Sequence, residues 1–290
     1  MIWQTKSRTF DLSHRGLIMG VLNVTTDSFS DGGQFSDVES AVAHARQLVT
    51  EGAEIIDIGG ESTRPGAEPV SEEEELRRVL PVIERLAAEQ NSEFRIQNSK
   101  FLISIDTMKP AVARAAVAAG AEIINDVTGL REPAMREVVR ATGAAAIAMH
   151  MQGTPRDMQA APQYNDVVGE IREFFRQTFE ACLRFGIDPL RLAFDPGIGF
   201  GKTTAHNLAL IRNLDAIRVG DRPIVLGVSR KSFIGKVLGT SDPADRAWPT
   251  VALTSYGRSR GAHVFRVHEV RPNAEALRMT EAMLNCEGAA

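Results

Sequence analysis

Cysteine is nearly absent: 290 residues contain two, Cys182 and Cys286, with no CxxC pair. That excludes a disulfide framework and a zinc ribbon, and isolated thiols fit a reducing compartment. No run approaches the roughly 18 apolar residues of a membrane helix. The opening ten residues lack the apolar core of about 7–15 residues that a secretory signal carries. A soluble, cytoplasmic protein is therefore expected. A basic excess is missing too: 33 Lys and Arg face 37 Asp and Glu, a formal charge of −4. That is a poor footprint for a nucleic-acid binder, so neither a nucleic-acid nor a membrane partner is expected. A small anion, which needs only a few placed cations, stays open. No low-complexity tract or composition shift divides the chain, and residues 1–290 read as one domain.

What is present is a rhythm. Short apolar, β-branched runs occupy residues 17–24, 54–58, 101–105, 122–127, 144–149, 191–194, 223–228 and 263–267. Each ends in a polar or glycine-rich loop, and a helical pattern follows. Runs that are apolar on both faces read as buried parallel strands. Helix signals punctuate the rest: Asp37 as a cap for a helix ending near Glu51, and a Ser71–Glu74 capping box. Pro110 stands at a first turn with Gly120 as a stop, a helix spans Val167–Phe185, and Pro272 opens a last helix reaching Leu284. The polar stretch 90–100 reads as an exposed insert.

The polar residues closing the runs are Asn23, Asp57, Asp106, Asn125, His150, Asp195, Ser229 and His268, about 35 residues apart. Eight such units in a chain of this length predict an α/β protein with a (β/α)8 TIM barrel. A doubly wound sheet would carry a glycine fingerprint after its first strand, and none is there. Residues 2–14 then form a short N-terminal hairpin or plug. Taken singly, each closing residue also reads as a helix N-cap. Together they would ring one mouth, where barrel enzymes place their chemistry.

Arg266 and His268 are two apart on the last run, so both side chains share a face and would form a paired anion grip. The same period puts Ser229 and Lys231 on one face, with Ser232 at a helix N-terminus that attracts an anion. Two glycine-rich loops, 59–66 and 195–203, read as flexible segments closing over substrate. The second is not a nucleotide P-loop, because Pro196 stands where that motif needs glycine. His150 reads as a core or supporting histidine.

Taken together, these motifs resemble the bacterial dihydropteroate synthase family, pterin-binding barrel enzymes of folate synthesis. The matching segments are GVLNVTTDSFSDGG from Gly20, GGESTRPGA from Gly59, SIDT from Ser104, INDVTG from Ile124, MHMQGTP from Met149, DPGIGFGK from Asp195, SRKSFIG from Ser229 and RVHEV from Arg266. They follow family order and cover nearly the whole chain. The resemblance implies a transferase in which a dihydropterin methyl diphosphate loses pyrophosphate and the amine of 4-aminobenzoate attacks the resulting cation. By position it implies that Asp106, Asn125, Asp195 and Lys231 bind the pterin, and that Asn23, Thr63, Arg64, Arg266 and His268 bind the diphosphate. Phe29, Thr63, Pro65, Phe200, Lys231 and Ser232 would form the aminobenzoate pocket. Asp106, Lys231 and Arg64 are the implied catalytic set. Mg²⁺ is the implied cofactor, near Asn23 and with Asp27 or Asp31 close by, and a homodimer through the last helices is the implied assembly. Residues 24–36 and 60–70 would order over ligand.

Thr26 stands where many members have proline, and Glu269 where aspartate is commoner. By strand alternation, the Glu269 side chain should face away from His268. Three other classes share parts of the pattern: a corrinoid-linked methyl-folate methyltransferase, a non-catalytic pterin-binding paralogue and a phosphate-binding aldolase. The first would not need the anion devices around Arg64 and Lys231, the second would not need them intact, and the third would want a Schiff-base lysine within a strand.

Overall fold

Strand alternation decides what each residue of the sheet touches. The computed structural model describes residues 1–24, 33–62, 66–90, 101–154 and 157–286. Within them, β1 (Ile2–Gln4) and β2 (Thr9–Asp11) pair antiparallel as a hairpin. The parallel strands are β3 (Leu17–Asn23), β4 (Ile55–Gly59), β5 (Leu102–Asp106), β6 (Ile123–Asp126), β7 (Ala145–Met149), β8 (Leu192–Asp195), β9 (Val225–Leu226) and β10 (Val264–Val267). They lie in the order β8-β7-β6-β5-β4-β3-β10-β9, and a parallel bridge between Phe194 and Ile224 joins the two ends. The result is a TIM barrel.

One side-chain set of each strand faces the helices, and the other fills the lumen. Ile18, Ile56, Ile103, Ile124, Phe194 and Phe265 belong to the large cluster shared with the helices. These helices are α1 (Gly33–Glu51), α2 (Glu72–Gln90), α3 (Pro110–Ala119), α4 (Pro133–Thr142), α5 (Val167–Arg184), α6 (Thr204–Arg212), α7 (Ser232–Leu238), α8 (Ala247–Ser259) and α9 (Val270–Leu284). The alternate residues Leu17, Met19, Ile55, Leu102, Ile123, Ala193 and Val264 cluster instead with Trp3, Phe10 and Leu12. The hairpin therefore plugs the lower lumen, and fully buried Trp3 donates its indole N–H to the Arg191 carbonyl at 3.2 Å.

The same phase carries polar groups to the upper end. Asp57 stands two residues beyond Ile55, Asp106 two beyond Ser104, Asn125 two beyond Ile123, Asp195 two beyond Ala193, and Arg266 two beyond Val264. A two-residue step keeps a side chain on one face, so all five share the interior face.

Several local expectations are corrected. Asp37 lies inside α1, which begins at Gly33. Only half of the Ser71–Glu74 box forms: Ser71 Oγ accepts the Glu74 N–H at 3.2 Å, while the Glu74 carboxylate turns to Arg77 and Arg78. Pro272 lies in the first turn of α9 rather than opening it. The seventh strand shrinks to Val225–Leu226. Pro110 and Gly120 bound α3 as expected, with Gly120 at φ 127°. Residues 91–100, most of the insert, lie outside the described residues.

Candidate active site at the barrel mouth

Ladder register brings the first group together. Asn23 pairs with Gly59, Gly59 with Asp106, and Asp106 with Asn125. A Cβ on Gly59 would lie 3.8 Å from both Asn23 Oδ1 and Asp106 Oδ2, so Gly59 stands between these two side chains. Arg266 reaches across the lumen. Its Nε donates to Asp57 Oδ2 at 2.6 Å, and its Nη2 donates to Asp106 Oδ2 at 2.7 Å. Asn125 Nδ2 donates to the same Asp57 oxygen at 3.1 Å. Asp195 closes the group, accepting the Gly197 N–H at 2.7 Å.

Two carboxylates, Asp57 and Asp106, thus share one guanidinium, and Asp195 lies within its field. Burial pushes the Asp106 carboxyl up to about 7; Arg266 opposes this and Asp57 adds to it. Burial also raises Asp195 against the pull of the Gly197 N–H, Lys231 and Arg266. Burial works against the Arg266 charge, but Asp57 and Asp106 outweigh it and hold the guanidinium protonated. Two oxygens of this floor, Asp57 Oδ1 and Ser104 Oγ, are buried with no partner among the described residues. Buried polar atoms are normally satisfied, so both await a donor.

The second group is the turn after β8. Lys231 Nζ stands 4.0 Å above the Phe200 ring, a cation–π distance, and the Lys231 stem crosses Gly199. The turn is not the flexible lid its glycines implied. Gly197 (φ 64°) and Gly201 (φ 58°) are left-handed, and a Cβ would fall 1.9 Å from the His150 carbonyl and 2.6 Å from that of Gln152. These glycines allow close packing on the segment after β7.

Around the rim, His268 donates its backbone N–H to Ser229 Oγ at 3.1 Å, and its Nδ1 lies 2.9 Å from the same oxygen. The period-two argument linking Ser229 and Lys231 does not apply, because Arg230 sits at φ 56° beyond the end of β9. Ser232 is exposed at the first position of α7. Glu269 pairs with Arg230, which agrees with its expected direction away from His268. Phe29, Thr63, Arg64, Pro65, Thr26, Asp27 and Asp31 lie outside the described residues, as do parts of both segments expected to order over ligand. The flanks of the Arg64 segment are nevertheless tied. Lys109 donates to both Glu61 and Glu75, Glu61 accepts the Val70 N–H at 3.2 Å, and Arg78 donates to the Gly60 carbonyl at 2.9 Å.

Sequence reasoning placed Asp57 at the mouth without assigning it a ligand, and gave no role to Lys202 or the Lys109 cluster. Asp57 carries a signal, an acid between Ile56 and Ile58 and in phase with Ile55. Lys202 had been met only as the lysine of a failed P-loop. Among the described residues, no group of three His, Cys, Asp or Glu side chains is placed to hold a metal ion, and no helix is long and apolar enough to cross a membrane.

A TIM barrel whose upper lumen gathers carboxylates, an amide and cations defines a small-molecule enzyme site. Residues 19–268 match the model of the pterin binding enzyme family, and the chain belongs to that family. It is 44% identical to the dihydropteroate synthase of Escherichia coli K12 over 279 residues, which are 96% of this chain and 95% of the relative. The Xanthomonas albilineans dihydropteroate synthase solved with 4-aminobenzoic acid is 45% identical, with a TM-score of 0.88 over 98% of each chain. Its complex with 7,8-dihydropteroate aligns at 42% identity and a TM-score of 0.85, over 98% of this chain and 99% of that one.

Proposed function

We infer that this chain is a transferase that condenses 6-hydroxymethyl-7,8-dihydropterin diphosphate with 4-aminobenzoate, giving 7,8-dihydropteroate and pyrophosphate. The observation that carries this reading is the acceptor-rich floor: Asp57 and Asp106 on one guanidinium, Asn125 on Asp57 and Asp195 beside them, with Asp57 Oδ1 and Ser104 Oγ unpartnered among the described residues. A pterin ring, rich in N–H donors, matches such a floor. The family and the dihydropteroate synthases it aligns with support the same reading.

In this reaction the methylene carbon–oxygen bond breaks and its electron pair leaves with pyrophosphate. The amine lone pair then forms the carbon–nitrogen bond, and the amine proton is released. Asp106, Asn125, Asp195 and Lys231 hold the ring. Their carboxylates also favour positive charge developing on it, fixed before the bond breaks. Asn23, Thr63, Arg64, Arg266 and His268 receive the departing negative charge. Phe29, Thr63, Pro65, Phe200 and Lys231 wall the aminobenzoate, and Ser232 faces its carboxylate. Mg²⁺ fits a sparse protein donor set when the diphosphate supplies most of its ligands; Asn23, exposed at the end of β3, would be its described donor. Bound there, the ion would neutralise leaving-group charge.

The last helices support a homodimer. Trp248 on α8 is 77% exposed, and Val237 and Leu238 on α7 and Met279 and Met283 on α9 are also exposed, large apolar side chains of the kind a second copy would cover. Free Cys182 and Cys286 support a cytoplasmic setting. Calorimetric titration with a dihydropterin tests the ligand. Wild type should bind and Asp195→Asn should bind at least about tenfold more weakly, the loss expected for one buried charged acceptor. Equal binding by both would contradict the assignment.

A further inference from the structure

The Phe200 turn is held through its carbonyls. The Gly199 carbonyl accepts from Gln159 Nε2 at 2.6 Å, the Phe200 carbonyl from Lys202 Nζ at 2.9 Å, and the Gly201 carbonyl from the Tyr164 hydroxyl at 2.9 Å. Gln159 and Tyr164 come from the connection between β7 and α5. Lys202 differs from both in reaching His150, the residue that directly follows β7. Its ammonium also donates to His150 Nδ1 at 3.1 Å and approaches the His150 carbonyl at 3.4 Å.

Lys202 is only 3% exposed. An ammonium carries three protons and a neutral amine two; burial lowers Lys202 to about 7, and in either state the acceptors around it are all internal. No proton remains for a substrate, so the group is not a catalytic acid or an anion ligand. Burial and nearby Lys202 push His150 down to about 2, so the imidazole stays neutral and can accept. Burying a lysine is unfavourable unless its bonds are made. Here those bonds hold the backbone of the residue whose ring supports Lys231.

We propose that Lys202 is a positioning residue for aminobenzoate binding: it ties the Phe200 carbonyl to His150 and so fixes the Phe200 ring beneath Lys231. The proposal rests on the reading of Phe200 and Lys231 as walls of the aminobenzoate pocket. The dihydropterin floor around Asp57, Asp106 and Asn125 makes its hydrogen bonds apart from Lys202; only Asp195 and Lys231 adjoin the turn, so dihydropterin binding should suffer less than aminobenzoate binding.

The test is steady-state kinetics of Lys202→Met, which keeps the stem and removes the donors, beside wild type. The KM for 4-aminobenzoate should rise about tenfold or more, kcat should change less than about threefold, and the dihydropterin dissociation constant should rise several-fold less than that KM. If Lys202→Met does not fold, His150→Leu removes the same tie from its other end and His150→Gln keeps an acceptor. His150→Leu should then raise the KM for 4-aminobenzoate and His150→Gln should largely restore it. An unchanged KM, or equal weakening of both substrates, overturns the proposal. A collapse of kcat at constant KM overturns it in favour of a direct catalytic role. Wild type that makes no product from 4-aminobenzoate would overturn the functional reading itself.

Discussion

Arg266 Nη2 donates to Asp106 Oδ2 at 2.7 Å across the barrel mouth. The cation assigned to the diphosphate side therefore rests on the carboxylate assigned to the pterin side. One guanidinium serves both halves of the site, and also holds Asp57.

Removing that cation should leave two carboxylates facing each other. Arg266→Met should lose roughly 3–5 kcal/mol of stability at pH 8, the usual effect of breaking a buried pair. The loss should shrink near pH 5, where the orphaned carboxyls take up protons. Urea unfolding at the two pH values measures it, and an equal loss at both would contradict the arrangement.

Asp106 and Lys202 should shape the pH dependence of stability in opposite directions. The Asp106 carboxyl is raised from 3.8 to about 7, so between about 4 and 7 the folded state holds a proton that the unfolded chain has released. Stability should fall as pH rises through that window. The Lys202 amine is lowered by burial from 10.5 to about 7. Between about 7 and 10.5 the unfolded chain holds the extra proton, so stability should rise with pH there. Asp106→Asn should remove the falling limb and Lys202→Met the rising one. Unfolding curves across this range check both, and profiles unchanged by either substitution would contradict the assignments.

The Lys109 cluster should be structural. Glu75 is fully buried with Oε1 unpartnered, and Lys109 is its cation. Lys109→Met should be destabilised by about 3–5 kcal/mol, and Lys109→Met with Glu75→Leu should recover much of that by removing the stranded charge. Denaturant midpoints of the two variants decide it. A double variant as unstable as the single would contradict the pairing.

Arg64 should matter to turnover rather than to folding. Arg64→Ala should lower kcat about a hundredfold or more, as loss of a group meeting developing charge does, with its melting temperature close to wild type. An unchanged rate in the purified variant would contradict its role.

The parts of the site that could be read from sequence are those set by strand phase. Asp106, Asn125, Asp195 and Arg266 each follow an interior residue by two positions, so one period placed all four in the lumen. Their mutual contacts were not readable: Arg266 meets Asp57 and Asp106 across separations of 209 and 160 residues. Where the backbone leaves the strand, the period fails, as at Arg230. In the turn around Phe200, glycine signals freedom in the sequence, whereas in the fold it permits contact with the backbone of His150 and Gln152. The cap at Asp37 failed because α1 had already begun at Gly33.

The most direct test of the account is pyrophosphate release from dihydropterin diphosphate and Mg²⁺, with and without 4-aminobenzoate. The account predicts release that depends on 4-aminobenzoate and is matched by dihydropteroate formed. Dihydropterin binding without turnover, or release indifferent to 4-aminobenzoate, would contradict it.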